Sequence, residues 1–233
     1  MLWTKGWLET RIRLAFALGV VALTLVFLYS LGLKPPANGA QPMVGIVGIA
    51  TIFVAMMSGI LAGAGINTQP SFQATKGLHG SMLFTLSLPV SRFRLLAVRV
   101  SLGWLELVLA IGTLCCGMWA VFPMLRATAT AVEMLEYAAV LLACASGLHF
   151  ISVLLATFLD DQWRMFGSII SFGVVWWLCE HTPVPAFANI FRAMTEGSPL
   201  IAHSIPWTTI AFSLSLAVVL FCVALKVVRT REY

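Results

Sequence analysis

Ser146 and His149 come nearest, in residue type and spacing, to a catalytic site in this 233-residue chain. They are three residues apart in CASGLH, so on a helix both side chains would share one face, where a histidine could activate a serine nucleophile. The sequence has no GxSG motif with a histidine on a second helix, and nothing in it supplies an oxyanion hole. An intramembrane hydrolase is therefore the least favoured functional hypothesis.

The cysteines do not form a metal or redox motif. Cys115, Cys116, Cys144 and Cys222 lie within apolar runs, Cys179 ends one, and none has CxxC spacing. Adjacent residues of a helix point to different faces, so Cys115 and Cys116 are not expected to share a ligand. We interpret all five as small hydrophobic residues and expect no metal site.

Two ionisable residues, Glu106 and His149, interrupt apolar segments. Charged groups at the centre of a membrane helix cost about 2.5–3.5 kcal/mol on insertion scales. Arg99 precedes Glu106 by seven residues on roughly the same helical face, about 10.5 Å away along the axis, so we expect the partner of Glu106 on another helix. Roles in helix packing or in coupling both remain open for Glu106, and packing is favoured for His149.

The composition requires a membrane around most of this chain. Hydrophobic residues make up 60% and charged residues 10% of the sequence, and the mean hydropathy is +0.97. Soluble domains carry about 25% charged residues. The net charge of +5 does not indicate a nucleic-acid partner, because the basic residues flank apolar runs instead of forming one face. The sequence thus predicts an all-α, polytopic membrane protein surrounded by lipid.

Six apolar runs have lengths that approach or match a hydrocarbon core of about 30 Å. They cover residues 14–33, 43–66, 100–122, 137–159, 165–179 and 208–228. The fifth run, with 15 residues, would cover only about 22 Å as a helix. In the second run, Met56, Met57, Gly59 and Gly63 form a soft, small-residue surface that predicts close helix packing. Residues 1–13 alternate tryptophan and leucine with charged residues, as in an amphipathic helix at the bilayer surface.

Lysine and arginine are distributed unequally between the two sides of this topology. Eleven lie on one side: Lys5, Arg11, Arg13, Lys76, Arg92, Arg94, Arg99, Arg164, Lys226, Arg229 and Arg231. Only Lys34, Arg126 and Arg192 lie on the other. Because cytoplasmic loops carry the excess of basic residues, both termini are expected in the cytoplasm.

The longest outer loop, residues 180–207, contains four prolines. Within it Phe187, Ile190, Phe191 and Met194 recur at helical spacing. We expect a short helix over residues 186–194 that turns back toward the membrane. Asp160 and Asp161, at the other end of the fourth span, are expected to pair with Arg164 or with basic residues of the 76–99 stretch.

The stretch 76–99 is the longest polar-flanked segment between two hydrophobic runs. Gly77 and Gly80 bracket His79, residues 81–86 can form a short surface helix, and Pro89 would stop it. Ser91 is placed to cap a helix that runs through Arg92, Arg94 and Arg99 into the third span. The stretch is either a basic loop with a surface helix or a rigid element that passes the motion of a partner into the third span.

Three segments resemble the ABC-2 family of ABC-transporter permeases, the membrane subunits of type V ABC exporters. SLPVSR at residues 87–92, after a KG…GS segment and before a basic helix, resembles the coupling region of that family. LWTKGWLETR at residues 2–11 is similar to its amphipathic elbow helix, and RTREY at residues 229–233 to its charged C-terminal end. The chain departs from many members at Lys76, which stands where they carry an acidic residue.

The resemblance implies a single permease domain over residues 1–233. Its parts would be an elbow helix at 1–13, six spans, a coupling helix between spans two and three, and short extracellular helices between spans five and six. The implied site contacts a cytosolic ATPase through Lys76, Gly77, His79, Gly80, Ser81, Phe84, Leu88, Pro89, Ser91 and Arg92.

The resemblance also implies partners: a cytosolic ABC ATPase subunit and a second permease subunit, identical or different, in a bacterial or archaeal inner membrane. The chain has no GxxxxGK[ST] phosphate loop, so ATP and Mg are expected in the ATPase subunit and no cofactor in this chain. It is thus expected to be a transport subunit and not an enzyme. The apolar spans favour a lipophilic or amphipathic cargo. A polytopic anchor or assembly protein without transport is the alternative.

Overall fold

The computed structural model describes residues 2–32, 42–62, 91–159 and 161–230. In these ranges the chain is helical and contains no strand. The helices are α1 (Leu2–Gly32), α2 (Pro42–Leu61), α3 (Arg92–Val121), α4 (Pro123–Thr128), α5 (Ala131–Ala156), α6 (Asp161–His181), a 3₁₀ helix (Ala186–Ala188), α7 (Ile190–Met194), α8 (Pro199–Ala202) and α9 (Trp207–Thr230).

Five of these helices are long and apolar enough to cross a bilayer. The qualifying segments are Thr10–Ser30 in α1, Met43–Leu61 in α2, Leu96–Val121 in α3, and the whole of α5 and α9. The prediction of an all-α, multi-pass membrane protein is therefore confirmed. The predicted fifth span, residues 165–179, belongs to the longer helix α6, whose 21 residues include Arg164 and Glu180 and which is less apolar than the five.

The first helix differs from its prediction. Residues 1–13 were expected to form a surface helix separate from a span at 14–33, but α1 is one uninterrupted helix of 31 residues. No proline interrupts this part of the sequence, so the helical hydrogen-bond ladder continues through it. At about 46 Å, α1 is longer than the roughly 30 Å of hydrocarbon, and its first turns extend beyond it. Trp3 and Trp7 are exposed one turn apart in these turns.

Helix caps explain two of the other boundaries. Ser91 is the N-cap of α3, as predicted, and its hydroxyl accepts a hydrogen bond from the Arg94 amide at 3.3 Å. Helix α5 begins at Ala131, six residues before the predicted start, because Thr130 and Glu133 form a capping box. Helix α2 ends at Leu61, and the rest of the predicted second span, residues 63–66, lies outside the described residues.

Helix α5 is the centre of the bundle and packs against α2, α3, α6 and α9. It approaches α9 closely at Gly147, where an added Cβ atom would lie 2.7 Å from Ser213 Oγ. The Ser213 hydroxyl donates to the carbonyls of Ala143 and Cys144, at 3.0 and 3.1 Å. A glycine on α5 and a small polar residue on α9 therefore allow the two helices to pack closely.

One apolar cluster brings the ends of four helices together: Ala62, Leu96, Val100, Val153, Ala224 and Val228. These residues lie at the end of α2, the start of α3 and the ends of α5 and α9. Arg164, near the start of α6, contacts Ala62. We call this region the basic end, because Arg94, Arg99, Lys226 and Arg229 also belong to these helix termini. The region that contains α4, the 3₁₀ helix, α7 and α8 is the opposite end.

The short helix predicted over residues 186–194 is confirmed as the 3₁₀ helix followed by α7. Ile190, Phe191 and Met194 are buried, whereas Phe187 is exposed. The Thr51 hydroxyl lies 3.0 Å from the Val47 carbonyl of its own helix and 3.2 Å from the Met194 carbonyl, and its single proton is shared between the two. Because Thr51 lies nine residues, or about 14 Å, after the start of α2, this segment folds back into the bundle.

Candidate functional site

Most of the predicted ATPase-coupling residues lie outside the described part of the chain. These are Lys76, Gly77, His79, Gly80, Ser81, Phe84, Leu88 and Pro89. Ser91 and Arg92 are described, as the N-cap and the first residue of α3. The site that can be built from described side chains is the neighbouring polar cluster at the basic end, where α2 ends.

Side chains from two other helices bind the main-chain carbonyls at the end of α2. His149 of α5 lies 3.1 Å from the Ser58 carbonyl oxygen through its Nδ1. One terminal nitrogen of Arg164, from α6, donates to the Gly59 carbonyl at 3.2 Å and also to the Ala62 carbonyl. The last carbonyls of a helix have no partner within the helix, so these contacts supply a C-terminal cap from outside. We call Ser58, Gly59, Ala62, His149 and Arg164 the α2 cap cluster.

The side chains of the α2 cap cluster are shielded from solvent. Ser58 and His149 are 0% exposed, and Arg164 is 3% exposed. A buried guanidinium is strongly destabilising unless its donors are bonded, and bonds that involve a charged donor are stronger than neutral ones. Cationic side chains also interact favourably with the negative end of a helix dipole. The position of Arg164 is therefore electrostatically suited to the end of α2.

Close packing of α2 on α6 makes this contact possible. Gly59 has no side chain, and a Cβ atom placed there would lie 3.1 Å from both Ser168 Cβ and Phe172 Cε2. The Ser168 hydroxyl turns back to the Arg164 carbonyl at 2.8 Å, within its own helix. The predicted packing role of Gly59 is thus confirmed, whereas Gly63 lies outside the described residues.

The tautomer of His149 follows from its partner. A carbonyl oxygen can only accept, so Nδ1 carries the proton and donates to Ser58. Its Nε2 atom is buried and has no hydrogen-bond partner among the residues that the structure describes. The ring packs edge-on against Phe150, with centroids 5.7 Å apart. His149 is therefore oriented toward α2.

This orientation separates His149 from Ser146. The Ser146 hydroxyl donates to the Leu142 carbonyl at 2.8 Å and accepts from Trp104 Nε1 at 3.1 Å. No hydrogen bond joins the serine and the histidine, although they lie three residues apart on α5. The structure therefore lacks the nucleophile–base contact that the hydrolase hypothesis requires.

Glu106 lies farther along α3, where this helix packs against α1. It is 1% exposed, and its polar neighbours are Thr10 and Arg13 of α1. The expected partner of Glu106 on another helix is thus found, among the described residues, only as nearby polar residues of α1, without a hydrogen bond to its carboxylate. The Thr10 hydroxyl donates to the Trp7 carbonyl at 3.5 Å, and neither Glu106 oxygen has a hydrogen-bond partner in the described part of the chain. Glu106 and the α2 cap cluster use different contacts and are separate features.

Cys115 and Cys116 are expected on different faces of one helix. Cys115 is buried and its neighbour Cys116 is exposed, so they do occupy different helix faces. No group of three or more histidine, cysteine, aspartate or glutamate side chains among the described residues is arranged to hold a metal ion. A groove between α2 and α6 encloses about 10 Å³, whereas small-molecule sites enclose about 300 Å³ or more.

The role of Arg164 does not follow from the sequence pattern. The pattern indicates one more basic side chain of the inner surface, paired with Asp160 or Asp161. Asp160 and the side chain of Asp161 lie outside the described residues. The available signal was the position of Arg164 inside a helix, directly before an apolar run, where a cation needs buried partners.

Comparisons with protein-family profiles, with curated proteins and with solved structures find no match to this chain. Its class is therefore defined by its own fold and composition. It is an all-α, multi-pass membrane protein with a buried polar cluster at its basic end.

Proposed function

We propose that this chain is the permease subunit of an ATP-driven ABC exporter of the ABC-2 family. It forms the translocation path as a dimer and is driven by a separate cytosolic ATPase subunit. The observation that carries the proposal is the continuity of helix α3. This helix of 30 residues begins at its Ser91 cap, within the predicted coupling stretch 76–99, and continues through the bundle without a break.

A continuous helix is what force transmission needs. A displacement at the start of α3 is carried along the helix, whereas a loop at this point would absorb it. Helix α3 also packs closely on α1, where Gly117 lies against the side chain of Leu25. Movement of α3 would therefore move α1 as well.

A sixth crossing by α6 completes the proposed topology. Val153 near the end of α5 and Ala224 near the end of α9 belong to one cluster, so both helices end at the basic end. The chain must therefore return to the opposite end between residues 156 and 207. Helix α6, with 21 residues and a length of about 31 Å, is the element long enough to do so. Arg164 is compatible with this crossing because α2 carbonyls bind its guanidinium.

Six crossings would bring both termini to one side of the membrane. Since basic residues concentrate on that side, it is the cytoplasmic side in the proposal. The predicted coupling stretch would then face the ATPase. Residues 186–194, which we call the re-entrant segment, would face outward. The Lys76 position, where many family members carry an acid, lies in the surface proposed for this contact.

The test is reconstitution with an ABC ATPase subunit, if one is encoded by a gene adjacent to that of this chain. The pair is co-expressed, purified and placed in nanodiscs, and ATP hydrolysis is measured for the wild-type chain and for Pro89→Ala and Arg92→Glu. We expect a stable complex in which both variants lower the ATPase rate. Arg126→Glu, a charge reversal at the opposite end, is the control. Unchanged complex formation and ATPase rates in both variants would remove the proposed coupling role, and no complex at all would favour the anchor hypothesis.

A further inference from the structure

The α2 cap cluster contains more than close packing requires. Apolar side chains would fill the space between α2, α5 and α6 without placing an arginine in a dry interior. Here two polar side chains from two different helices converge on one turn of a third. Helix α2 is also the helix that leads directly into residues 63–90, the connection to α3.

We propose that His149 and Arg164 act as one clamp that positions the basic end of α2 relative to α5 and α6. Each helix contributes a different part. The last turn of α2 supplies two carbonyl acceptors and the residue after it a third, α5 supplies the single donor of His149, and α6 supplies the charged donor of Arg164. Removal of either donor leaves a buried carbonyl without its partner, so the three helix ends are held together only when both are present.

The contacts of Arg164 span the end of α2. Arg164 donates to the carbonyl of Gly59, which lies before this end, and to the carbonyl of Ala62, which lies after it. This single guanidinium therefore fixes both the last turn and the first residue beyond it. The two donors bind the carbonyls of adjacent residues, Ser58 and Gly59, and so belong to one cluster. One consequence of the clamp rests on the proposed function. In the transporter, the clamp would make α2, α5 and α6 move together when the ATPase acts on the chain.

Hydrogen exchange of the chain alone in nanodiscs tests the clamp without any partner. The readout is amide exchange in peptides that cover residues 54–62, compared with peptides from the α5–α9 contact. For Arg164→Met we expect exchange at the end of α2 to rise about tenfold or more, because the turn opens locally once its cap is lost. Arg126→Met, an exposed arginine at the opposite end, should leave this exchange unchanged.

Two substitutions of His149 separate hydrogen bonding from simple space filling. His149→Asn retains a donor near the position of Nδ1, whereas His149→Gln places its donor near the position of Nε2. The clamp predicts that the asparagine variant keeps exchange within about threefold of wild type and that the glutamine variant resembles Arg164→Met. A role in space filling predicts the reverse, because glutamine is closer to histidine in size.

The outcomes decide the clamp and the proposed function separately. Wild-type exchange at residues 54–62 in Arg164→Met, or better protection in His149→Gln than in His149→Asn, overturns the clamp. A variant that raises exchange across the whole bundle has unfolded. In that case Arg164→Lys, which keeps the charge and one donor nitrogen, replaces Arg164→Met. For Arg164→Lys we expect an intermediate increase in exchange at residues 54–62. Failure of the wild-type chain to bind an ATPase would refute the proposed function and would leave the exchange result valid.

Discussion

At the basic end of the bundle the arginine of the α2 cap cluster lies inside the protein, whereas at the opposite end Arg192 lies on the surface. Arg164 is 3% exposed and donates to main-chain carbonyls of a neighbouring helix. Arg192, at the opposite end, forms an ion pair of 3.4 Å with Glu196, and these two side chains are 65% and 68% exposed. Arg164 stabilises a helix terminus and Arg192 stabilises a short helix, but only Arg164 is shielded from water.

The difference in burial determines how replaceable each group is. A solvated cation loses little when its partner is removed, because water takes the place of that partner. A buried carbonyl that loses its donor keeps the full desolvation penalty. Substitutions at the basic end should therefore be more destabilising than chemically identical ones at the opposite end.

The largest difference is expected between Arg164→Ala and Arg192→Ala. Loss of Arg164 leaves two carbonyls without their donor, at about 1–3 kcal/mol each, so we expect the free energy of unfolding to fall by about 3 kcal/mol. Arg192→Ala should change it by less than about 0.5 kcal/mol. Unfolding in mixed detergent micelles can be followed with a thiol-reactive fluorophore once Cys116, Cys179 and Cys222 are replaced by alanine, because the remaining Cys115 and Cys144 are buried. Equal effects of the two substitutions would show that burial does not distinguish the two ends.

A second pair of substitutions compares two glycines of α2. Gly59→Ala would place a Cβ atom 3.1 Å from Ser168 and Phe172, so we expect a loss of about 1–3 kcal/mol from overpacking. Gly45→Ala meets no atom within 4 Å and should stabilise the helix by about 0.5–1 kcal/mol. The same unfolding assay measures both. Stabilisation by Gly59→Ala would mean that α6 can move away from α2 at little energetic cost.

A buried polar contact of the opposite end joins Thr51 to the re-entrant segment. Thr51→Val removes the bond to the Met194 carbonyl and should destabilise the protein by about 1 kcal/mol. Thr113→Val is the matched control, because the Thr113 hydroxyl is exposed and bonds only within its own helix, to Leu109. Hydrogen exchange of residues 190–202 should rise in the first variant alone. Equal exchange in both would indicate that the re-entrant segment is held by its apolar side chains.

Hydropathy and cap signals were sufficient to predict most helices. The apolar runs correspond to α1, α2, α3, α5 and α9, and Ser91 marked the start of α3. The re-entrant helix was predictable because its apolar residues recur at helical spacing between prolines. The continuity of α1 was missed, because alternating tryptophan and charge is equally compatible with a surface helix and with the first turns of a longer one.

The α2 cap cluster could not be predicted, because its acceptors are main-chain carbonyls. Sequence reasoning assigned partners to Arg164 and His149 from side chains alone, and no residue type identifies Gly59 or Ala62 as an acceptor. Helix α6 had to be placed beside α2 before the contact became visible. The same applies to Glu106, whose neighbours on α1 lie almost a hundred residues earlier in the chain.

The smallest effect is expected at the exposed cap of α5. The Thr130 hydroxyl accepts from the Glu133 amide at 3.2 Å, and the Glu133 carboxylate accepts from the Thr130 amide at 2.7 Å and from His203 Nδ1 at 2.8 Å. Thr130→Ala should destabilise the helix start by about 0.5–1 kcal/mol, less than loss of the buried donors, because water can reach the freed amides.

Thr130→Ser keeps the oxygen and should behave as wild type, and amide exchange of residues 131–137 measures both variants. In Thr130→Ala the first turns of α5 should exchange faster, up to the buried Tyr137, where packing holds the helix. An effect as large as that of Arg164→Ala would instead mean that the cap and His203 hold the opposite end as firmly as buried arginine holds the basic end.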